Sequence, residues 1–574
     1  MFPEIRRREV EGELELPGVS ERLTRIYASR GVESERDLEY GLERLPDFNR
    51  IKGMAGAVEL LASVLAEGGS IVVVGDYDAD GATSCAVASR ALRGLGAAEV
   101  HTRVPNRFAE GYGLTPAIVD SLRDLEPALL MTVDNGISSL EGVAAARACG
   151  MKVLVTDHHL PGAELPSADA LINPNQLGDE SGLGHLAGVG VVFLLMVALR
   201  ASLRSQGWFE KRGLAEPNLG ALLDLVALGT VADVVPLDHG NRLLVHHGIE
   251  RLRAGRCQPG LAALAEVAGR PLDRLRAVDL GFVMGPRLNA AGRLDDMSIG
   301  VRCLLADTAA EALESATELD RLNRERRSIE ARMEEEALEL LEEIALGDFD
   351  SLPAGLCLLE EGWHQGVVGI LASRLKERVH RPVIAFAPAD DGQLRGSARS
   401  VPGVHVRDVI EEIANREPGL VGRFGGHAMA AGLSLAAGDF ERFRTAFAAA
   451  VEPLLPPEER RGIVESDGDL EAEAFGLAFA EELSRSGPWG TGFPEPVFDG
   501  RFEVTQRRIV GERHLKMSVR PLVGGRILDA IAFRHSDSDW PAGNVTVEMV
   551  YRLEVNVFRG RRSPQLVVMH LRLV

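Results

Sequence analysis

Three aspartates, Asp76, Asp78 and Asp80, lie within five positions directly after the apolar run at 71–74. Burying one ionised carboxylate is costly and burying three together costs more, so such a cluster is solvated, partly protonated or neutralised by a divalent cation. Taken alone, the group is equally compatible with a polar turn, because Asp and Gly are ordinary turn residues. The choice between a turn and a metal site depends on what the rest of the chain brings to this position.

Polar side chains also follow four later apolar runs, at 99–104, 128–133, 151–155 and 168–172. Segments of helix length separate these runs, and this alternation is typical of a parallel, doubly wound sheet. In order along the chain, the side chains that follow the runs are Arg107, Asp134, Asp157, His158, His159 and Asn173.

In such sheets, ligands bind outside the carboxyl ends of the strands. Carboxylate and imidazole groups from separate strands therefore converge on one crevice, and a metal site becomes the favoured interpretation. His158 and His159 point in different directions, so we expect at most one of them to be a direct ligand while the other faces substrate. Asp233 is a further candidate, although its place after an apolar, helix-like segment is by itself better explained as a helix-terminal cap.

A second group of residues has the chemistry to bind phosphate. The segment 285–297, which we predict to be a loop, carries Arg287, Asn289 and Arg293, and arginines suit bidentate capture of phosphate oxygens. A second α/β unit follows at about 350–455, in which a Gly-rich segment at 422–432 is predicted to lie where a helix begins and to cradle phosphate with its N–H groups. The candidates in this unit are His364, Ser373, Arg374, Arg395, Gly425, Gly426 and His427.

The chain of 574 residues is too long for one core and predicts several domains. Between about 308 and 344 it is almost unbroken helix former without Pro or Gly, which predicts a long helix connecting two bodies. We interpret the charge on this helix as a solvated face. The predicted organisation is a helical segment at 1–50, a doubly wound α/β domain at 51–305, the connecting helix at 306–346, a smaller α/β domain at 347–455 and a β-barrel at 460–574.

The net charge of −22 argues against a nucleic-acid partner for the chain as a whole, but residues 501–574 carry 13 Lys and Arg against seven Asp and Glu. This basic tail has about five alternating strands, a pattern typical of an OB-fold that grips single-stranded nucleic acid. Its aromatic supply is thin, and Phe533 and Phe558 are as readily core residues as binding ones.

The five cysteines lie far apart with no CxxC spacing, which argues against a disulfide framework or a zinc knuckle and favours a reducing cytoplasm. The basic N-terminus is not followed by an apolar segment, and the longest apolar run, 189–199, is far short of a membrane span. We therefore expect no export and no membrane insertion.

The motifs DYDADG, DNGIS, TDHH and GTVADVVPL resemble the successive motifs of the DHH phosphoesterase superfamily, and GGHAMAAG resembles the signature of its DHHA1 domain. GPRLNAAGRL, WHQGVVGILASRL, RGSARS and GPWGTGFPEPVF are similar to segments of the RecJ family, single-strand-specific exonucleases that degrade DNA from the 5′ end. The resemblance runs from about residue 45 to the C-terminus. It implies an α/β fold with a doubly wound parallel-sheet DHH domain, a long connecting helix, a smaller α/β DHHA1 domain and a C-terminal OB-like β-barrel.

The resemblance also implies a site for two divalent cations, Mn²⁺ or Mg²⁺, bound by Asp78, Asp80, Asp134, His158 and Asp233 with Asp76 close by. His159 would then contact the scissile phosphate, and the catalytic candidates are His159, Asp157 and Asp76. Some superfamily members have a His four positions before the residue that matches Asp78, where this chain has Val74. That departure leaves the role of Asp76 open.

The implied substrate is single-stranded DNA, whose phosphates would be held by Arg287, Arg374, Arg395 and His427, and the implied processes are DNA repair and recombination. A channel between two bodies held apart by the long helix would exclude duplex DNA. The resemblance further implies a single-stranded-DNA-binding protein and a DNA-unwinding helicase as partners, and we expect a monomer.

Two other functions are compatible with parts of this pattern. A DHH/DHHA1 phosphodiesterase of short oligonucleotides or cyclic dinucleotides would use the same chemistry, but those relatives end near the GGH domain, so the basic tail argues against it. A non-catalytic replication factor of similar fold would bind DNA without its metal ligands, and the intact acids and histidines argue against that.

Overall fold

The computed structural model describes residues 2–10, 14–345, 351–389, 392–511, 514–533, 535, 540–541 and 543–574. It confirms the predicted fold class, with a parallel-sheet domain, a long helix, a second α/β domain and a C-terminal barrel. The predicted boundary between the connecting helix and the second domain, at 346–347, lies outside the described residues.

We predicted a helical N-terminal segment, but the segment begins with strand β1, Glu4–Arg7. Helix α1, Glu21–Ala28, follows it. Strand β1 pairs in parallel with Ile463–Ser466, 459 residues later, and nearby the buried Arg30 and Asp467 form an ion pair at 2.7 Å. The start of the chain is thus attached to the segment that leads into the barrel.

The first α/β domain is built on a five-stranded sheet in which all strands are parallel. Along the sheet the order is β3, β2, β4, β5, β6, so the strand order reverses beside β2. Because helices cover both faces, β2 is fully buried along its length. The strands are β2 Ile71–Gly75, β3 Val100–Arg103, β4 Leu129–Val133, β5 Lys152–Thr156 and β6 Ala170–Ile172.

The helices of this domain surround the sheet and extend beyond it. They are α2 Met54–Glu67, α3 Ala79–Gly94, α4 Pro116–Ser121, α5 Leu140–Ala148, α6 Gly188–Ser205, α7 Trp208–Arg212, α8 Leu223–Ala232, α9 His239–Arg253, α10 Pro259–Val267, α11 Ala277–Asp279, α12 Gly285–Leu294 and α13 Ser298–Leu305. Among the described residues, α6 alone has the length and apolarity to cross a membrane, and 67% of it is buried inside the fold, as in a core helix of a globular domain.

The connecting helix α14, Ala309–Ala345, has 37 residues. The interpretation of its charge as a solvated face is wrong for one stripe, because Asp320, Asn323, Arg326 and Glu330 are all buried. Their spacing of three to four positions keeps them on one face of the helix. That face packs against α12 of the first domain and against a helix of the second domain.

The second α/β domain has a mixed five-stranded sheet in the order β10, β11, β9, β8, β7. Its strands are β7 Leu356–Leu359, β8 Val383–Pro388, β9 Gln393–Arg399, β10 Phe424–Gly426 and β11 Ala430–Ala436, and its helices are α15 Val368–Val379, α16 Val406–Arg416 and α17 Phe440–Val451.

We predicted that the Gly-rich segment of this domain lies at the start of a helix. That prediction is wrong, because the segment forms the hairpin of β10 and β11. Gly426 has a left-handed φ of 140° and lies opposite Ala431, while the His427 N–H donates to the Ala430 carbonyl at 2.7 Å. Strand β11 pairs with β9 over seven residues. These long-range backbone hydrogen bonds override the helix propensity of its alanines.

After strand β12, Ile463–Ser466, and helix α18, Leu477–Arg485, the chain closes a five-stranded barrel. Neighbouring strands follow the order β13, β14, β15, β17, β16, and the pairing of β15 with β17 is parallel. Tyr551 is fully buried inside, whereas Phe533 and Phe558 are more than half exposed and are not core residues. The strands are β13 Phe498–Val510, β14 His514–Pro521, β15 Leu528–Phe533, β16 Val545–Phe558 and β17 Arg561–Leu573.

Candidate metal centre and phosphate cleft

The three aspartates of the first motif lie between the end of β2 and the start of α3. Asp78 caps α3, accepting a hydrogen bond from the Gly81 N–H at 3.0 Å. Asp80, two residues later in the first turn of α3, is buried and accepts from the N–H groups of Gly188 and Val189 at the start of α6. A Cβ on Gly81 would lie 2.3 Å from the Asp76 carbonyl oxygen, so only glycine lets the helix start so close to the strand.

Asp134 enters the same crevice from the end of β4 with a strained backbone. Its φ is 61°, in the left-handed region that residues other than glycine rarely adopt. Gly188 packs directly against it, since a Cβ there would lie 2.6 Å from the Asp134 Cβ. Strands β2 and β4 are neighbours at the reversal of strand order, which is where doubly wound sheets bind ligands.

His158 and Asp233 complete the cluster from β5 and from the end of α8. The His158 Nε2 lies 3.1 Å from Asp134 Oδ1, 3.5 Å from Asp233 Oδ2 and 3.9 Å from Asp80 Oδ2. No hydrogen bond joins His158 Nε2 to Asp134 Oδ1, and both atoms are buried without any hydrogen-bond partner. Buried ligand-type atoms that face each other without hydrogen-bond partners fit a bound cation as their shared partner.

The electrostatics of the cluster also favour a bound cation. Burial, followed by repulsion from Asp78, raises the pKa of Asp76 to about 8 and that of Asp80 to about 7. Burial and the neighbouring carboxylates raise the pKa values of Asp134 and Asp233 as well. Burial lowers the pKa of His158 to about 4, which keeps the imidazole neutral and able to ligate. A divalent cation would compensate these carboxylates.

The donor atoms fall into groups compact enough for metal ions. In each of the sets Asp76–Asp78–Asp134, Asp80–His158–Asp233 and Asp134–His158–His159, the donor atoms all lie within 4.8 Å of one another. Carboxylates suit Mg²⁺ and Mn²⁺, and an imidazole shifts preference towards Mn²⁺. Val74 is buried inside the sheet, and Asp76 stands with Asp78 and Asp134, which supports its place among the ligands.

His159 also has a donor atom within 4.8 Å of those of Asp134 and His158, but its imidazole ring is hydrogen-bonded to Asp157. Its Nδ1 lies 2.8 Å from Asp157 Oδ1, and Asp157 also accepts from the backbone N–H groups of His158, His159 and Ile137. Burial lowers the pKa of His159, but the hydrogen bond and charge of Asp157 outweigh it and raise that pKa to about 9. His159 is therefore a fixed imidazolium beside the cluster. Asn173 and Asn175 hold this turn by donating to the carbonyls of His159 and His158.

A cleft rich in arginines adjoins the Asp76 and Asp78 end of the cluster. Burial, followed by the charges of Arg107, Arg399 and Arg326, lowers the pKa of Arg293 to about 9, whereas Asp78 raises it. Arg107 lies over the Tyr77 ring at 4.1 Å from its centroid. Arg293 is thus repelled by three further arginines next to the metal cluster, an arrangement that suits the phosphates of a substrate.

We predicted a loop at 285–297. That prediction is wrong, because residues Gly285–Leu294 form helix α12. Pro286 stands in its first turn, where proline favours helix. Arg287 does not face the cleft freely, since its guanidinium is bound to Asp320 of α14 and to the Val283 carbonyl. The Asn289 side chain accepts from the Ala79 N–H at 2.8 Å and thereby holds the metal-binding turn.

The remaining predicted residues lie on the second domain, at varying exposure. His364 lies at the turn before α15, where its Nδ1 accepts from the Gly366 N–H, and Ser373 is half-buried in α15. Arg374 is half-exposed and pairs with Glu330 of α14 at 3.2 Å. Arg395 is exposed on β9, and Gly425, Gly426 and His427 are exposed in the hairpin beside it.

Sequence reasoning identifies both Arg395 and Arg399 on the strand at 394–400 but selects only Arg395 as a phosphate ligand, and only the structure shows that Arg399 is the one near Arg293. Other residues of the cleft are missed altogether. Arg326 was not selected because we interpreted the charges of α14 as a solvated face. Its position in a stripe of polar residues spaced three to four apart could have indicated a buried polar face. Aromatic rings were missed as well: Phe108 contacts His364 of the second domain, with ring centroids 6.1 Å apart, and Tyr112 lies against His159.

Comparison with known proteins agrees with this geometry. Residues 70–230 match the DHH family N-terminal domain, 353–452 the DHHA1 domain and 466–570 the RecJ OB domain. The single-stranded-DNA-specific exonuclease RecJ of Dickeya dadantii is 54% identical over 567 residues, covering 98% of both chains.

Two crystal structures of Thermus thermophilus RecJ share the fold. The complex with Mn²⁺ superposes with a TM-score of 0.76 at 32% identity and covers 95% of this chain and 75% of that one. The complex with Mg²⁺ gives a TM-score of 0.71 at 30% identity, with coverage of 96% and 75%. From these domains, this identity and this coverage, the chain belongs to the RecJ family of the DHH/DHHA1 phosphoesterases.

Proposed function

We propose that the chain is a single-stranded-DNA-specific exonuclease that hydrolyses phosphodiester bonds from the 5′ end with two divalent cations, Mn²⁺ or Mg²⁺, and that it acts in DNA repair and recombination. The observation that carries the proposal is the pairing of two buried, unpartnered metal-ligating atoms, Asp134 Oδ1 and His158 Nε2, with an adjoining cleft of four arginines. The name and metal content of the relatives support the same activity.

In this proposal Asp76, Asp78, Asp80, Asp134, His158 and Asp233 hold the cations. Bound divalent cations activate water and neutralise the charge that develops on the attacking and leaving oxygens. His159, kept protonated and oriented by Asp157, donates a hydrogen bond to the scissile phosphate through its free Nε2. Asp157 thus acts on the ring orientation and charge of His159 rather than on the substrate.

Arg293, Arg399 and Arg107 bind the phosphates at the 5′ end of the strand, because the charges of Arg107, Arg399 and Asp78 all act on the guanidinium of Arg293. Arg326 adds positive charge to this region but is itself paired with Glu330. Of the residues expected from sequence, Arg374, Arg395 and His427 stand at the margin of this cleft and bind more weakly. Single-strand specificity follows from contact between the two domains, such as that of Phe108 with His364, which leaves too little width for a duplex.

The finer expectations remain part of the proposal. We place the protein in the cytoplasm, in line with its five free cysteines, as a monomer that works with a single-stranded-DNA-binding protein and a DNA-unwinding helicase. The basic, strand-rich tail supports the DNA partner, and light scattering of the purified chain tests the monomer.

The proposal is tested with the purified full chain and Mn²⁺ on three DNAs of one sequence: a linear 5′-phosphorylated single strand, the same strand circularised, and the duplex. We expect mononucleotide release from the linear strand alone, starting at the 5′ end, and loss of release in Asp134→Asn. Cleavage of the circle or release from the 3′ end would contradict exonuclease polarity. Preferred hydrolysis of a dinucleotide over the long strand would favour a short-oligonucleotide phosphodiesterase instead.

A further inference from the structure

A cavity of about 1400 Å³ separates the first domain from the barrel. Its walls come from residues 231–237 beside the metal-ligand candidate Asp233, from 270–282, from the turn-rich segment 483–495 and from strand β16. This volume exceeds that of an ordinary small-molecule pocket, about 300–1,000 Å³. The cavity therefore suits a segment of polymer rather than a compact ligand.

Phe282 is displayed in this cavity by an irregular helix. Residues Leu280–Met284 form a π-turn between α11 and α12, and Leu280 and Met284 at its ends are fully buried. Phe282, midway between them, is 75% exposed. Leaving a phenylalanine in water forfeits most of the free energy its burial would supply, and π-turns concentrate at functional positions. We infer that the ring is kept for a ligand.

The wall chemistry indicates which ligand. Seven arginines and five acidic residues line the cavity. Arg276 and Arg552 are compensated by Glu495 and Glu554, and Arg562 pairs with Glu481, while Arg485 is exposed on the rim. A net positive wall with an exposed aromatic ring matches a polyanion that also offers flat apolar faces. Single-stranded nucleic acid has both, whereas a duplex hides its base faces.

The cavity also lies on the path that a substrate strand would take. The arginine cleft adjoins the Asp78 end of the metal cluster, and Val231 and Val234, on either side of Asp233, line the cavity at the other end. A strand whose 5′ end is held by the arginines passes the metal centre and leaves past Asp233 into this space. The barrel forms the far wall.

We propose that Phe282 stacks on a base of the substrate strand on the 3′ side of the scissile phosphate, and so holds that strand between the metal centre and the barrel. The proposal rests on the proposed exonuclease function. Phe282 precedes Asn289, which contacts the metal-binding turn, by seven helical positions, or roughly 10 Å. With stacked bases about 3.4 Å apart, the ring meets a base about three nucleotides from the metal centre.

The test is a scan of abasic sites through a 5′-phosphorylated 12-nucleotide strand, one site per substrate at positions 2 to 6, with KM and kcat measured for each. For the unmodified chain we expect one position, near the third or fourth, at which the abasic site raises KM by about 5- to 150-fold, the range of one base stacked on an aromatic ring. Phe282→Ala should raise KM for the intact strand by that factor, with kcat unchanged, and remove the penalty at that position.

Phe282→Trp should restore both KM and the abasic penalty, whereas Phe282→Leu, which keeps apolar bulk but no aromatic face, should not. Leu177→Ala is the control, because Leu177 is 91% exposed and lies outside the cavity. A flat abasic scan in the unmodified chain, or an unchanged scan in Phe282→Ala, would overturn this inference and leave the exonuclease function standing. Absence of any single-strand degradation would instead overturn the proposed function.

Discussion

Substitution of Gly188 by alanine tests the geometry of the metal centre without removing a ligand. The added Cβ would lie 2.6 Å from the Asp134 Cβ and 2.8 Å from its Oδ1. Because carbon atoms settle at about 3.5–4.0 Å, Asp134 or helix α6 must move by about 1 Å. A misplacement of about 1 Å can cost about 10²-fold in rate, or about 2.7 kcal/mol of transition-state stabilisation.

The assay is the initial rate of single-strand degradation as a function of Mn²⁺ concentration. We expect Gly188→Ala to lose about 100-fold in rate or to need far more Mn²⁺ for half-maximal activity. Gly190→Ala is the matched control on the same helix, because its Cβ meets only the Leu186 side chain, with the terminal Cδ2 at 3.1 Å and no backbone or ligand atom within 4 Å among the nearest three. If the two variants behave alike, the contact between Gly188 and Asp134 does not position the site, and our reasoning is wrong.

Three further predictions concern the cleft, the domain contact and the metal. Arg399→Ala should raise KM for 5′-phosphorylated single strands by about 10- to 150-fold, because a charge-assisted contact of about 1.5–3 kcal/mol is lost. Arg395→Ala, on the exposed part of the same strand, should change KM less than threefold. Equal effects of the two substitutions would contradict the assignment of Arg399 to the cleft. Glu330→Ala leaves the buried Arg326 uncompensated and should cost about 3–5 kcal/mol of stability, measured by urea unfolding, without changing the Mn²⁺ dependence of whatever activity remains. Mn²⁺ at about 100 times its Kd should stabilise the chain by about 2.7 kcal/mol in thermal unfolding, and EDTA or Asp134→Ala should abolish the gain; an equal gain in the variant would place the metal elsewhere.

The sheet of the first domain could be predicted closely from sequence. Apolar runs of strand length separated by helix-length segments leave one plausible layered arrangement, and the rule that ligands bind at carboxyl strand ends then brings Asp78, Asp134 and His158 together. The structure places their side chains in one cluster. Asp233 could not be assigned from the residues alone, because a carboxylate after a helix is most often a cap and only the tertiary fold brings it to His158.

The errors fall where small residues carry little pattern. Ala and Gly make up seven of the 11 residues at 422–432 and interrupt the pattern at 285–297, where they are four of 13. Neither segment shows a clear period of 3.6 or 2, and the first proved helical over 285–294 and the second a hairpin. Several of their glycines serve close packing instead. A Cβ on Gly292, for example, would lie 1.9 Å from the Tyr77 carbonyl oxygen. Such contacts arise between segments some 200 residues apart and leave no local signal.

The choice between Arg395 and Arg399 illustrates a second limit. Alternation places both on one face of β9, and both are equally suited to phosphate. What separates them is the position of the strand along the sheet relative to α12 and α14, which depends on how the two domains dock. The buried polar stripe of α14 could not be predicted for the same reason. A helix between two domains buries polar residues only where those domains pack against it.

The metal centre lowers the stability of the fold through backbone strain and through buried carboxylates. Asp134 and the β-branched Val234 both have left-handed backbones, with φ of 61° and 64°, and each such residue costs about 1–3 kcal/mol. These conformations persist because their surroundings determine them: the Asn135 side chain donates to the carbonyls of Val74 and Val133, tying the Asp134 turn to two strands. In these conformations, the carboxylates of Asp134 and Asp233 lie within 3.1 and 3.5 Å of His158 Nε2. Their raised pKa values show a second cost, the burial of neighbouring carboxylates. Since a cation would offset only the electrostatic cost, the rigid sheet must hold the strained backbone at Asp134, which explains why this ligand directly follows the fully buried strand β4 rather than a longer loop.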